Sequence, residues 1–337
     1  MKHKGLYLIG FLLVIITGIA AAQNTTVTYI EGAPQRKNKQ GAFTVLDYGN
    51  ELMSGETVIT GNTDMAELSQ GSAAIIRIKP NTVFTIREME LQGQKEPVLT
   101  TTIGAVSMRF NRLAGKEPRV GTVSTIAGIR GTELTIFAGP DGSTLFIVES
   151  GLVSVSAAGT TVDLGEKEAV EVPVGGPPGE KYSVIGRELD FSTWAQGKTR
   201  ELLADPLSSV EQSARLLDQF KTGLEEWVEK YEKARIASEA AAGKMAEITD
   251  KAEQGKYRDE VWFPLALQTG NAILNYRYYT LSALSLRRYV LGPLYMQVRT
   301  RNMIVQDEGY YQFMKRYREL IQDFQSVFEP YTNITDY

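Results

Sequence analysis

A chain of 337 residues with 43% hydrophobic and 23% charged positions has room for two ordinary domains and is too apolar to be wholly disordered. It contains no cysteine, which excludes disulfides, and a single histidine, His3, at the extreme N-terminus; a mature chain without His3 is expected to have no Ser-His-Asp or Cys-His nucleophilic chemistry and no usual zinc or copper site. Its 36 basic and 40 acidic residues give a formal charge of −4, which argues against a general nucleic-acid binder.

Residues 1–22 read as a secretory signal peptide. Lys2 and Lys4 form the positive start, Leu6 to Ile19 supplies an apolar run, and Ala20-Ala21-Ala22 provides small residues before cleavage at Gln23. An uncleaved anchor is the alternative, because Gly5 to Ala22 is just long enough to span a bilayer. No cysteine follows the run, so no lipid anchor is expected. Cleavage removes His3 and two lysines, leaving 34 basic residues against 40 acidic and a formal charge of −6. Stability must then come from core burial without disulfides.

From Thr25 to Val172 the chain is a series of short β-like runs closed by Gly, Pro or Asn. Val98 to Ile103 and Ala105 to Phe110 are hinged at Gly104. Val123 to Ile136 reads V-S-T-I-A-G-I-R-G-T-E-L-T-I, where Gly128 and Gly131 bracket Ile129 and Arg130. The spacing predicts strand, tight turn, strand, with Arg130 either solvated or folded back onto carbonyls or a carboxylate such as Glu133. Leu134 to Phe137, the turn Gly139-Pro140-Asp141-Gly142, and Thr144 to Val148 predict a hairpin over 132–149. This pattern argues an all-β unit over 23–174, either a β-solenoid or a sandwich. Gly104-Ala105-Val106-Ser107 echoes Gly151-Leu152-Val153-Ser154. A true repeat favours stacked turns, although strand sequences share few letters and echo one another by chance.

Val174-Gly175-Gly176-Pro177-Pro178-Gly179 opens a linker, 175–188, beyond which 189–337 is helical. The first predicted helix covers Ser192 to Ala204. Asp205-Pro206 then caps a very long helix, 206–254, whose stripe includes Val210, Ala214, Leu217, Phe220, Leu224, Trp227 and Tyr231 at alternating steps of three and four with one extra three at Phe220, a coiled-coil seam carrying a stammer. Gly255-Lys256 is the expected interruption. A second long helix follows from Phe263 to Gln306, kinked at Gly292-Pro293, and a last one from Tyr310 to Glu329. The expected fold is thus α+β in segregated domains: a solenoid-like all-β unit, then a long-helix antiparallel bundle or coiled coil.

No catalytic residue, cofactor or metal ligand is assigned. Asp141 lacks the alternating acids of a calcium loop. Asp163, Glu166, Glu168 and Glu171 are the carboxylates that a polysaccharide-active enzyme would draw on, and solvated strand acids look the same. Tyrosines and arginines interleave near the end of the chain. Tyr278, Arg287, Arg288, Arg299, Arg301, Tyr311 and Arg316 are the candidates for a partner surface or self-association through the helices, with the tyrosines in part forming core.

The central stretch carries a resemblance. Val123, Thr125, Ala127, Arg130, Gly131, Thr132 and Glu133, with Gly55, Thr60-Gly61, Gly71-Ser72, Pro80-Asn81-Thr82, Glu149 and Gly151 to Val155, resemble the FecR domain of bacterial envelope proteins over roughly 25–174. The resemblance implies an all-β, solenoid-like periplasmic module in which Thr125, Arg130, Gly131, Thr132 and Glu133 are structural. FecR proteins relay the occupancy of an outer-membrane transporter to a cytoplasmic sigma factor. Here only Met1 to Lys4 precede the apolar run, so no cytoplasmic anti-sigma domain is expected, and a helical half is expected in place of the usual C-terminal portion. The leading expectation is an exported, non-catalytic interaction or scaffold module whose partners are envelope proteins. A sensor component of transporter-linked signalling is the alternative.

Overall fold

Alternation of apolar and polar side chains builds the first half. In the computed structural model, which describes residues 25–91, 94–111 and 118–331, fifteen strands form one sheet; the expected signal peptide lies outside these residues. The strands are β1 Thr25–Glu31, β2 Gln35–Lys37, β3 Phe43–Val45, β4 Glu51–Leu52, β5 Thr57–Ile59, β6 Met65–Ser69, β7 Ala74–Ile78, β8 Val83–Leu91, β9 Gln94–Phe110, β10 Arg119–Gly121, β11 Ile126–Ala138, β12 Thr144–Ala157, β13 Thr160–Leu164, β14 Glu168–Val172 and β15 Tyr182–Ser183. The last lies within the expected linker and pairs with β14. Among the described pairings only β9 with β10 is parallel, so the sheet is almost wholly antiparallel, with non-consecutive neighbours such as β1 beside β6 and β5 beside β8, rather than a stack of parallel turns.

Three long strands each exchange neighbours at a glycine. β9 pairs with β8 up to Ile103 and with β11 from Gly104 onward. β11 pairs with β10 over Ile126 to Gly128 and with β9 over Glu133 to Ala138. β12 pairs with β14 over Thr144 to Ile147 and with β13 over Val153 to Ala157. Gly104, Gly131 and Gly151, at φ 105°, 52° and 93°, sit at these changes. The bends fold the sheet over one core, in which Leu99, Met108, Ile129, Ile136, Phe146 and Val155 are buried together.

The predicted tight turn at Gly128–Gly131 does not form. Ile126–Ala138 is one strand, interrupted by a β-bulge between Arg130 and Glu133. Both flanks keep pairing with β12, so the left-handed residue Gly131 absorbs an extra residue instead of reversing the chain. The reversal comes at Gly139–Ser143, where the predicted hairpin does turn.

The second half comprises α1 Phe191–Ala204, α2 Pro206–Glu247, α3 Lys251–Tyr257, α4 Phe263–Leu286, α5 Gly292–Arg301 and α6 Glu308–Val327. Asp205 caps α2 as predicted, its carboxylate accepting from the Ser208 N–H at 3.0 Å. The break falls at Ile248–Asp250 and not at Gly255. Asp250 accepts from the N–H groups of Ala252 and Glu253 and starts a new helix, and a capping carboxylate outweighs one helical glycine. Near Gly292-Pro293 the kink takes the form of a π-turn over Arg287–Leu291, and the helix ends at Arg301 rather than Gln306. The stripe of α2 is buried at Val210, Ala214, Leu217, Phe220 and Leu224, in a core shared with α4, α5 and α6.

Sheet and helices are in direct contact. Phe191 and Trp194 of α1 pack on Phe137 of β11, with ring centroids 5.4 and 5.8 Å apart. The Trp194 Nε1–H donates to Glu171 at 3.2 Å. On another part of the sheet, α4 lies against β8. Among the described residues no helix is long and apolar enough to cross a membrane.

Candidate functional site

Strand periodicity aims three residues of β8 at the helices. Phe84 and Ile86 enter the sheet core, so Val83, Thr85 and Arg87 share the opposite face. Thr57 of β5 lies across from Thr85, their hydroxyls 3.0 Å apart, and Lys37 of β2 pairs with Thr57. This face is the floor of a cleft. Its roof is one stripe of α4 and the following π-turn, made by Leu274, Arg277, Tyr278, Leu281, Leu284, Ser285 and Arg288 at helical spacing. The cavity between them measures about 340 Å³, within the range of small-molecule sites.

Arg87 closes the inner end. It is 7% exposed, and its guanidinium donates to Ser282 Oγ at 2.9 Å and Ser285 Oγ at 2.8 Å, with a longer contact to the Leu281 carbonyl at 3.5 Å. All three partners are neutral, and Nε, also buried, has no hydrogen-bond partner. Burial pushes this guanidinium below the ordinary arginine range, opposed by the neighbouring Tyr278 and Tyr289. Lys37 is also lowered, first by burial and then by the charge of Arg288. With Lys39 and Arg277, five cations line the cavity, and none of its described lining residues is Asp or Glu.

Tyr278 sits beside Arg87, and burial pushes its phenol up to about 12, against the pull of that guanidinium. The unfolded phenol ionises near 10, so between about pH 10 and 12 the unfolded state sheds the proton first and stability falls as pH rises. Chemical denaturation at pH 9 and pH 11.5 is expected to show a loss of about 2 kcal/mol from this group, and Tyr278→Phe is expected to remove that part of the loss.

The residues singled out in the sequence do not gather in one place. Tyr278 and Arg288 line the cleft. Arg287 covers the ring of Phe324 at 4.9 Å. Arg316 bridges α6 to α2 through Glu211 at 2.7 Å. Arg301 donates to the Leu203 carbonyl at 2.9 Å, Arg299 to the Tyr295 hydroxyl at 3.3 Å, and the exposed Tyr311 to Gln306 at 3.2 Å. Arg87, Lys37 and Lys39 were missed, because strand and loop cations read as solvated until the helix that covers them is in place, whereas Arg277 falls within the stretch of interleaved tyrosines and arginines. Arg87 alone had a legible signal: it occupies the face of β8 opposite Phe84 and Ile86.

The FecR-like signature lies away from the cleft and builds the bulge. Thr132 Oγ1 donates to the Arg130 and Leu152 carbonyls, at 3.0 Å each, and joins the bulged segment of β11 to β12. Glu133 pairs with Arg109 across β9 at 3.4 Å. Thr125 is buried, and its carbonyl accepts from the Thr122 N–H at 2.9 Å. Arg130 is exposed on β11. Thr132→Val keeps the shape and removes both hydroxyl bonds. It is expected to cost about 2 kcal/mol in urea denaturation.

Three of the four acids named from the sequence are engaged in pairs. Asp163 accepts from Ser154 at 2.6 Å, Glu168 from Lys181 at 2.9 Å, and Glu171 from Lys198. Asp141 accepts from Ser143 within its own turn. Among the described residues no cluster of acidic groups is suited to hold a metal ion.

No protein-family model matches the chain, and no curated protein does. Two solved structures of a proposed anti-sigma factor from Parabacteroides distasonis are similar to part of it. Each is 16% identical, with a TM-score of 0.33, over 38% of this chain and 59% of that one. At that level of similarity they assign no residue or activity to this chain.

Proposed function

We propose that this chain is an exported, non-catalytic interaction module of the bacterial envelope, in which a FecR-like sheet and a helical half together hold a partner or ligand. The observation that supports the reading is the cleft at their seam. Its walls are fixed cations, hydroxyls and aromatic rings, which are groups suited to retaining a charged ligand. The FecR-like residues around Gly131 support the fold and leave the seam and the helices as the surfaces open to specialisation.

The test is crosslinking of the mature protein in intact cells, with the captured species identified by mass. Self-crosslinks through the helical half, or contacts with structural envelope proteins, are expected. Recovery of an outer-membrane transporter together with an inner-membrane regulator replaces this reading with a second one, a sensor component of transporter-linked signalling. One feature favours that alternative: the cavity is walled by both the sheet and α4, so its occupancy bears on how the two halves meet. Recovery of the protein in the cytosolic fraction overturns both.

A further inference from the structure

We propose that the seam cleft is a binding site for an organic phosphate, a molecule that joins at least one phosphate group to an apolar body. The inference deepens the reading above by naming the ligand class of the same cleft; it needs neither export nor a protein partner, so failure of the crosslinking test leaves it standing.

Charge is the first argument. The whole chain carries a formal charge of −4, yet this cavity gathers Lys37, Lys39, Arg87, Arg277 and Arg288 with no described lining carboxylate. Cations held together without counter-charge repel one another, and the effect of Arg288 on Lys37 is one such repulsion. An anion of charge two or more relieves it.

Arg87 is the second argument. Arginine is almost never fully buried unless it is paired, because the desolvation cost of an ion is several kcal/mol. Here the buried guanidinium has only two hydroxyls and a carbonyl as partners, and its Nε–H remains unused. The serines orient the fork and leave the charge uncancelled.

The shape and lining of the cavity give the third. About 340 Å³ holds a phosphate and a further body of similar size or larger. Leu274, Leu281 and Leu284 form an apolar wall along the same stripe that carries Arg277 of α4 and Arg288 of the following π-turn. Thr57 and Thr85 add hydroxyls on the floor. Several oxygens around one phosphorus can accept from arginine forks, a lysine and hydroxyls at once, and a planar carboxylate satisfies fewer of these donors. The same chemistry is met on a soluble metabolite and on a phospholipid headgroup.

Titration calorimetry of the full chain with inorganic pyrophosphate at low salt is expected to show one site with a dissociation constant of about 100 µM or tighter. Arg277→Gln with Arg288→Gln is expected to weaken it at least tenfold, and Arg299→Gln with Arg318→Gln, exposed cations outside the cleft, to leave it unchanged. Lys39→Gln, on an exposed loop, is the second variant should the Arg277 and Arg288 pair perturb folding, with an expected loss of about threefold. Sedimentation with vesicles of phosphatidylcholine containing phosphatidylglycerol assigns the source. Binding to vesicles and to pyrophosphate, both lost in the cleft variant, points to a headgroup, whereas pyrophosphate alone points to a soluble phosphate. Absence of pyrophosphate binding, equal weakening by the outside pair, or tighter binding of succinate than of pyrophosphate overturns the proposal.

Discussion

Gly104→Ala is expected to destabilise the protein by about 4 kcal/mol, the largest loss from any single methyl added to the sheet. Two costs combine. Gly104 has φ 105°, a conformation that a residue with a Cβ adopts only under strain. A methyl there would also lie 2.5 Å from Thr82 Cα and 2.7 Å from the Asn81 carbonyl oxygen, both backbone atoms that cannot rotate away. The contact is close because β9 changes partners at this residue and because Thr82 is itself tied to the neighbouring Ala105, whose N–H donates to Thr82 Oγ1 at 3.0 Å. Gly159→Ala separates the two costs. Gly159 has φ 75° with nothing within 4 Å, so its loss is expected to be about 1 kcal/mol. Equal midpoints for the two variants in urea denaturation would show that the bend at Gly104 does not hold the sheet together.

The same geometry explains what the sequence disclosed and what it withheld. The echo between Gly104-Ala105-Val106-Ser107 and Gly151-Leu152-Val153-Ser154 corresponds to a repeated device. Each glycine takes a positive φ and is tucked against a threonine, Thr82 in one case and Thr132 in the other. The hairpin about Gly139–Ser143 and the Asp205-Pro206 cap were legible because each depends on a few consecutive residues. The turn predicted at Gly128–Gly131 failed for a physical reason. A glycine with positive φ serves a bulge as well as a turn, and pairing with β12 on both flanks, which is long-range information, decides between them. The cleft was illegible for the same reason on a larger scale. Arg87 and Ser282 are 195 positions apart, and the charge of Arg87 becomes informative only when α4 covers it. The segment of α4 was expected to pack only within an antiparallel helical bundle, yet one of its faces meets the sheet.

Removing the hydroxyls that hold Arg87 should reveal what that residue is for. Ser282→Ala with Ser285→Ala deletes both short hydrogen bonds and leaves a buried guanidinium with only a long contact to a carbonyl. The expected loss is about 3 kcal/mol, because an uncompensated buried charge, and not merely a pair of hydrogen bonds, is left behind. Adding Arg87→Met fills much of the same volume with an uncharged chain, and the triple variant is expected to recover most of the loss despite carrying one more substitution. Arg87→Met alone is expected to stay within about 1 kcal/mol of the parent, since a buried ion exchanged for an apolar side chain is often neutral or stabilising. A residue kept only for folding behaves otherwise: its replacement would be costly in every background, and the triple variant would be the weakest of the set. Denaturation midpoints of the four proteins, measured at neutral pH where Arg87 is charged and Tyr278 neutral, separate these outcomes. Recovery in the triple variant would mean that the sheet and α4 hold a charge that stability alone does not require, which is the condition expected of a group reserved for an incoming anion.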